Sequence, residues 1–289
     1  DTEVYLSSYD PKPHPSGVYK TYWRNTLVDD ENCWDQDLCQ LAEGEGEWNE
    51  YEGPFTKEEE SCHLIEYYSV DNVNKAEEVH KQCVFVDDTA PETDKEVGEP
   101  KYACEEFGFD NNQCGPEGDW DAWFVTNGTP ITLSCNDPGS HPVDHEQVCF
   151  AVSWHVDEQT RYITQNYVTE GGHWYDDKFY CVDVDENGEF IFNFKEDSLH
   201  NLEWFCQDTL GNRQDEAEIE WDNVDNEPPE IFVYNPTPKE AEEVLRCTQS
   251  IVIEAIDEKS GVNASTVYAE LINDEEEVVE HVDLIKSVY

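Results

Sequence analysis

The sequence predicts an all-β chain of serial antiparallel sandwich domains, stapled by disulfides. Three observations carry this. Apolar and polar residues alternate over short runs bounded by Asn, Asp, Gly and Pro, the pattern of half-buried strands. The chain matches itself at an offset of 137 residues, too long for a solenoid unit and suited to whole domains in tandem. Its 11 cysteines lack CxxC pairs and neighbouring histidine clusters, so they read as disulfides rather than zinc ligands.

Along the chain, TEVYLSSYDP (2–11) puts Val4, Leu6 and Ser8 on one side of a strand. SCHLIEYYSVD (61–71) does the same with Ile65, Tyr67 and Ser69, and VDDTAPE (86–92) closes a first domain over 1–90. TPITLSCNDP (129–138) repeats the early strand with Ile131, Leu133 and Cys135. SLHNLEWFCQD (198–208) repeats the later one with Leu202, Trp204 and Cys206. Both later strands follow S-x-H-x-[IL]-E-aromatic-aromatic-x-x-D. VDNEPPE (224–230) ends a second domain over 91–229, and SIVIEAIDEKSGV (250–262) opens a third over 230–289. Glu240–Leu245 is the best helix candidate. The first domain lacks the edge strand expected before 2–11, and the third stops before any S-x-H-x-x-E hairpin. A chain cut from a longer array, or ends completed by a neighbour, is the expectation. Cys135, Trp154 and Cys206 follow the Cys…Trp…Cys order of an immunoglobulin sandwich.

The string IEYYSVDNVNKAEEV…VFVDDTAPE, preceded by SGVYKTYW and GPF, resembles the immunoglobulin-like repeats of large bacterial and archaeal surface proteins. Those repeats carry IEYYSVD-x-x-GN-x-E followed by D-x-TAP. DEKSGVNASTVYAEL resembles the SGV strands of related bacterial domains. The likeness covers most of the first domain and the second half of the second. It departs at Val73-Asn74, where the family has Gly-Asn. The resemblance implies a sandwich fold and a surface location, and no catalytic residues.

Disulfide pairing follows from the internal alignment. Cys135 and Cys206 map onto Ser8 and Ser69, which suggests one inter-sheet bond. Cys149 and Cys181 map near Val18 and Gly44 and form a second pair. Counting outward from a turn at Asn72-Val73 sets Cys62 opposite Cys83; their counterparts Leu199 and Trp221 would face each other as an apolar pair. Cys33–Cys39 and Cys104–Cys114 would close short loops, leaving Cys247 unpaired in this chain.

Asp and Glu number 69 against 16 Lys and Arg, a formal net charge of −53. Such a surface is repelled by nucleic acid and by anionic lipid. No apolar run approaches the ~18 residues of a membrane helix. Acids are spread along the whole chain, which suits work in concentrated salt, where the Debye length falls to ~3 Å at 1 M. Disulfides place the chain outside the cytoplasm, at the cell surface. Asn127 and Asn263 head glycosylation sequons.

No nucleophile elbow, zincin helix, phosphate loop or dinucleotide fingerprint is present, so no enzyme is expected. His63 and His200 occupy equivalent positions and read as structural. Asp183, Asp185 and Asn187 have the spacing of a calcium loop, but Phe194 stands where its last Glu belongs, and Asn187-Gly188 is a hairpin signal. Asp87, Asp88, Asp225 and Asn226 precede linker prolines; the second linker resembles the calcium linkers of cadherin-type domains. Calcium is the one cofactor these patterns raise. Trp120, Trp123, Phe124, Trp174 and Tyr175 lie in insertions of the second domain and are candidate binding aromatics. The leading expectation is a rigid stalk, filament or surface-layer segment whose partners are copies of itself or neighbouring domains. The alternative is an adhesin that recognises glycans or cell-surface proteins. A third is the accessory region of a secreted hydrolase.

Overall fold

The computed structural model describes residues 2–13, 15–28, 36–57, 59–104, 122–138, 145–156, 159–235, 252–273 and 275–283. The chain is all-β, with 49 % strand and 4 % helix. Cys33, Cys114, Cys247, Trp120 and the helix candidate at 240–245 lie outside the described residues.

The first span holds β1 (Val18–Val28), a short helix α1 (Gln36–Leu41), β2 (Asn49–Glu50), β3 (Ser61–Asp71) and β4 (His80–Val86). Its sheet runs β2-β1-β3-β4, antiparallel throughout. Its buried apolar cluster is small and rich in sulfur: Val28, Cys39, Cys62, Leu64 and Cys83. The segment before β1 is tied to the rest by a Val4–Phe55 bridge, a Leu6 N–H to Tyr51 hydroxyl bond at 3.1 Å and a Ser8–Thr21 hydroxyl contact at 2.9 Å. Phe55 stacks on Trp23 with ring centroids 3.7 Å apart.

The second span carries β5 (Glu92–Val97), β6 (Lys101–Ala103), β7 (Trp123–Val125), β8 (Ile131–Asn136), β9 (Gln147–Val156), β10 (Gln159–Tyr162), β11 (His173–Trp174), β12 (Tyr180–Asp183), β13 (Glu189–Phe192), β14 (Leu199–Gln207) and β15 (Glu218–Val224). One sheet is ordered β11-β12-β9-β14-β15-β7-β6, and a three-stranded sheet β13-β8-β5 faces it. The main core lies between them. Ile131 and Leu133 of β8 meet Phe150 of β9, Phe192 of β13, and Leu202 and Trp204 of β14. Period-two alternation puts Val148, Phe150 and Val152 inward and turns Cys149 to the opposite face, where it meets Cys181 and Phe205.

The strand orders of the two spans correspond. The path β12-β9-β14-β15 has the same antiparallel connectivity as β2-β1-β3-β4. Register agrees too: Tyr22 faces Tyr68 as Cys149 faces Phe205. Both β3–β4 and β14–β15 hairpins are irregular near their turns, and the same device covers it. Glu77 Oε1 accepts the Ser69 N–H at 2.7 Å, and Gln214 Oε1 accepts the Cys206 N–H at 3.4 Å.

In the third span β16 (Glu230–Asn235) pairs with β17 (Val252–Ile256), and β18 (Tyr268–Ile272) with β19 (Val278–Asp283). Glu230 faces Ile256 and Ile231 faces Ala255, as Glu92 faces Asn136 and Thr93 faces Cys135. Its apolar residues stay largely open to solvent, Ile231 at 65 % and Tyr268 at 57 %.

Cys135–Cys206 joins β8 to β14, hence sheet to sheet, and Cys149–Cys181 joins directly opposed residues of β9 and β12. The other pairing expectations need correction. Cys39 bonds Cys83, tying α1 to β4, so neither Cys33–Cys39 nor Cys62–Cys83 exists. The physical reason is register. The turn is Asn72-Val73-Asn74, closed by an Asp71 N–H to Lys75 carbonyl bond with Asn74 at φ 60°. The ladder beyond it sets Leu64, not Cys62, opposite Cys83. Cys62 and Cys104 are disulfide-bonded as well. In the second span the same kind of slip sets Trp221 opposite Asn201 rather than Leu199. Cys149 corresponds in register to Tyr22 rather than to a residue near Val18. Trp154 is displaced as well. It faces His200, while Val148 faces Cys206 six residues away, about 20 Å along the strand. Val148 and Phe150 line the core nearest that bond, so Trp154 does not play the immunoglobulin tryptophan's part.

Candidate functional site: the interdomain junctions

Acids gather where one span meets the next. Asp87 follows β4, Asp137 follows β8 and Asp208 follows β14, and one carboxylate oxygen from each lies within 4.8 Å of the others. Asp87 and Asp208 are buried. Asn212 holds the group together: its amide donates to the Asp87 carbonyl at 3.0 Å and to Asp208 Oδ2 at 2.8 Å. The Asn212 N–H donates to Asp208 Oδ1 at 2.8 Å, and the Thr89 N–H to Asp87 Oδ1 at 3.2 Å. Three hard oxygen donors at this spacing repel one another unless protons or a cation offset the charge. A hard cation with flexible oxygen coordination, such as calcium, is the ion that suits them.

At the second junction Asp225 and Asp257 stand in the corresponding places. Asp225 Oδ2 accepts the Ser260 N–H at 3.1 Å, and Oδ1 accepts the Glu227 N–H at 3.0 Å. Burial alone would raise the Asp225 pKa, but these donors hold it below the usual carboxylate range. Lys259 pairs with Asp197 across the same junction. Asn226 Oδ1 accepts the Asn127 N–H at 2.8 Å, and Asp88 is exposed.

Of the sequence candidates, Asp87 therefore joins a cluster, while among the described residues Asp88 and Asp225 join no such group of acids. Asp137 and Asp208 were missed. Asp208 had a signal, being the terminal Asp of the S-x-H motif. Among the described residues, Asp183 and Asp185 are not drawn into a cluster of this kind. Asp185 Oδ1 accepts the Asn187 and Glu189 N–H groups at 2.8 and 3.1 Å, which lowers its pKa and builds a hairpin turn. Asp183 Oδ1 accepts from Gln147 at 2.6 Å. Gly188 sits at φ +77°, and a Cβ there would lie 2.7 Å from the Cys135 carbonyl oxygen, so only glycine fits this turn.

His63 and His200 are both fully buried. His63 Nε2 lies 2.7 Å from the Glu59 carbonyl and Nδ1 3.1 Å from the Asn25 amide. His200 Nδ1 donates to the Ser198 carbonyl at 2.9 Å, and its ring stacks on Phe194 at 4.6 Å. The motif glutamates are paired, Glu66 with Arg24 at 2.6 Å and Glu203 with Lys178. Among the aromatics, Phe124 is buried and Trp123 packs against the core. Trp174 and Tyr175 are half exposed, Trp174 edge-on to Tyr180 and Tyr175 edge-on to Phe205. Asn127 and Asn263 are exposed. No helix among the described residues is long and apolar enough to cross a membrane.

A second charged group lies inside the second span. Lys95 of β5 reaches across the sandwich to β15, its Nζ 2.6 Å from both Glu220 Oε2 and Asp222 Oδ2. Burial alone would push the Lys95 ammonium down, but the two carboxylates outweigh it and hold it above the ordinary lysine value. Sequence reasoning missed this triad. Its signal was the alternation of Thr93, Lys95 and Val97, which puts a lysine on the inward side of a strand.

No protein-family model and no curated protein sequence matches the chain.

Proposed function

We propose that the chain is a load-bearing segment of an extracellular, salt-adapted surface structure, built of tandem immunoglobulin-like sandwiches. The correspondence between β2-β1-β3-β4 and β12-β9-β14-β15, in order and in register, is the observation that carries this reading. It supports reading the first two spans as copies of one unit that differ in the length of their insertions. Short linkers tied down by Asn212 and Ser260 favour a stiff row over loose beads. Disulfides that join sheets and pin α1 suit an oxidising, protease-rich exterior. The acidic excess suits concentrated salt. Partners are further copies of the same unit. Small-angle scattering in 3 M and 0.1 M salt tests the row: an elongated particle with a maximum dimension several times its thickness is expected at high salt. A compact globule there would sink the reading.

Trp174 and Tyr175 support a second role, recognition of a glycan or partner surface through adjacent half-exposed rings. Binding to a glycan array that is lost in Trp174→Ala and kept in the buried-site control Phe124→Leu would establish it.

A further inference from the structure

We propose that Lys95 and Asp222 condense to a side-chain amide, a covalent cross-link between the first and last long strands of the second span. The inference does not depend on the functional reading above. It rests on how the triad is placed. The side chains of Lys95 and Asp222 are 1 % and 0 % exposed, against 27 % for Glu220. Lys95 Nζ touches both carboxylates at 2.6 Å. Asp222 Oδ1 is buried and makes no hydrogen bond. A buried ion pair with one oxygen left unsatisfied is a costly arrangement, since desolvation of each charge opposes their attraction. An amide removes both charges and one oxygen at once.

The geometry meets the demands of the reaction. Amine and carboxyl are held in contact by two rigid strands, so the step is intramolecular; well-oriented pairs gain effective concentrations of roughly 10⁵–10⁸ M. Water is excluded, which favours the dehydrated product. Glu220 lies two residues from Asp222 on the same face of β15 and also touches Nζ, so it can carry protons. Glu220 takes a proton from the Lys95 ammonium and relays it to an Asp222 oxygen. The freed amine attacks Asp222 Cγ, forming the N–C bond, and the attacking nitrogen gives a second proton to Glu220. Glu220 passes that proton to the departing hydroxyl, the C–O bond breaks, and Glu220 ends as the carboxylate it began as. The sum is one ammonium and one carboxylate giving one amide and one water, with no oxidant or cofactor. Because the carboxylates favour the protonated amine, the bond forms slowly after folding. Asp222 rather than Glu220 is the acyl partner, because Glu220 remains open to water.

The site belongs to this span alone. Val233 stands in place of Lys95 on β16, and Val84 in place of Asp222 on β4.

Mass spectrometry of the full chain, folded in high salt and then reduced, tests it. The expected mass is lower than the sequence mass by one water, about 18 Da, and proteolysis should yield a branched peptide joining residues 95 and 222. Lys95→Arg keeps the charge but should abolish the branched peptide. Asp222→Asn should give the same link with loss of ammonia, about 17 Da. Glu220→Gln should slow its appearance at least tenfold. An intact-mass match to the sequence, with separate peptides around 95 and 222 after prolonged incubation, would overturn the proposal. So would a branch at residue 220 in place of 222.

Discussion

His200 couples the core to pH. Burial against Phe194 pushes its ring pKa below the ordinary value, although Ser198 and Glu196 pull the other way. The folded protein then keeps the ring neutral where the unfolded chain takes up a proton. The unfolded value is about 6.5. Stability linked to this group is full above that pH and is lost as the pH falls from there toward the folded value. Urea midpoints at pH 7.5 and 5.5 should therefore differ, and His200→Phe should shrink the difference; an unchanged difference would assign the acid sensitivity elsewhere. Phe150 tests packing at the same scale. It is fully buried and stacks against both Phe190 and Phe192, at 5.3 and 5.8 Å. Phe150→Ala should cost about 3–5 kcal/mol. Ile231→Ala, on a largely exposed side chain, should stay within about 0.5 kcal/mol. Chemical denaturation of the two variants reads the contrast directly.

Among the elements, the β4–β5 junction and the Cys135–Cys206 bond between the sheets carry the sharpest expectations. Calcium should raise the thermal midpoint of the wild type and act less on Asp208→Asn, with Asp183→Asn behaving as wild type; equal responses in all three proteins would remove the ion from the junction. Removing Cys135–Cys206, which closes a loop of 71 residues, by a double Ser substitution should cost about 4 kcal/mol. Strand positions and the Cys135–Cys206 and Cys149–Cys181 pairings were readable in the sequence because both rest on period-two alternation and on the offset between matching segments. The pairing of Cys39, Cys62 and Cys83 was not. It turns on a third turn residue, Asn74, and on one further slipped residue, and neither leaves a composition signal. Trp154 misled for a related reason, since its spacing alone does not say how far along β9 it lies from the disulfide. The Asp208 corner was half legible: the motif displayed the aspartate, but its neighbour Asp137 comes from a strand some 70 residues earlier in the chain.

The whole molecule carries a charge of −53, with 69 Asp and Glu against only 16 Lys and Arg to pair with them. Self-repulsion should loosen the fold in dilute buffer and be screened in brine. Differential scanning calorimetry between 0.1 and 3 M salt should show a steep rise in the midpoint; a flat response would mean that the acids serve another purpose. Lys95 and Asp222 have a consequence at this scale as well. Tension applied through the two linkers enters the second span on β5, three residues before Lys95, and leaves on β15, two residues after Asp222. Almost all of the span's contour lies between those two residues, roughly 400 Å if drawn out straight. The Cys135–Cys206 bond withholds 71 residues of it even after the sheets part. With the Lys95–Asp222 link closed, none of it can be paid out, and a single-molecule pulling trace should show that span as inextensible while its neighbours yield.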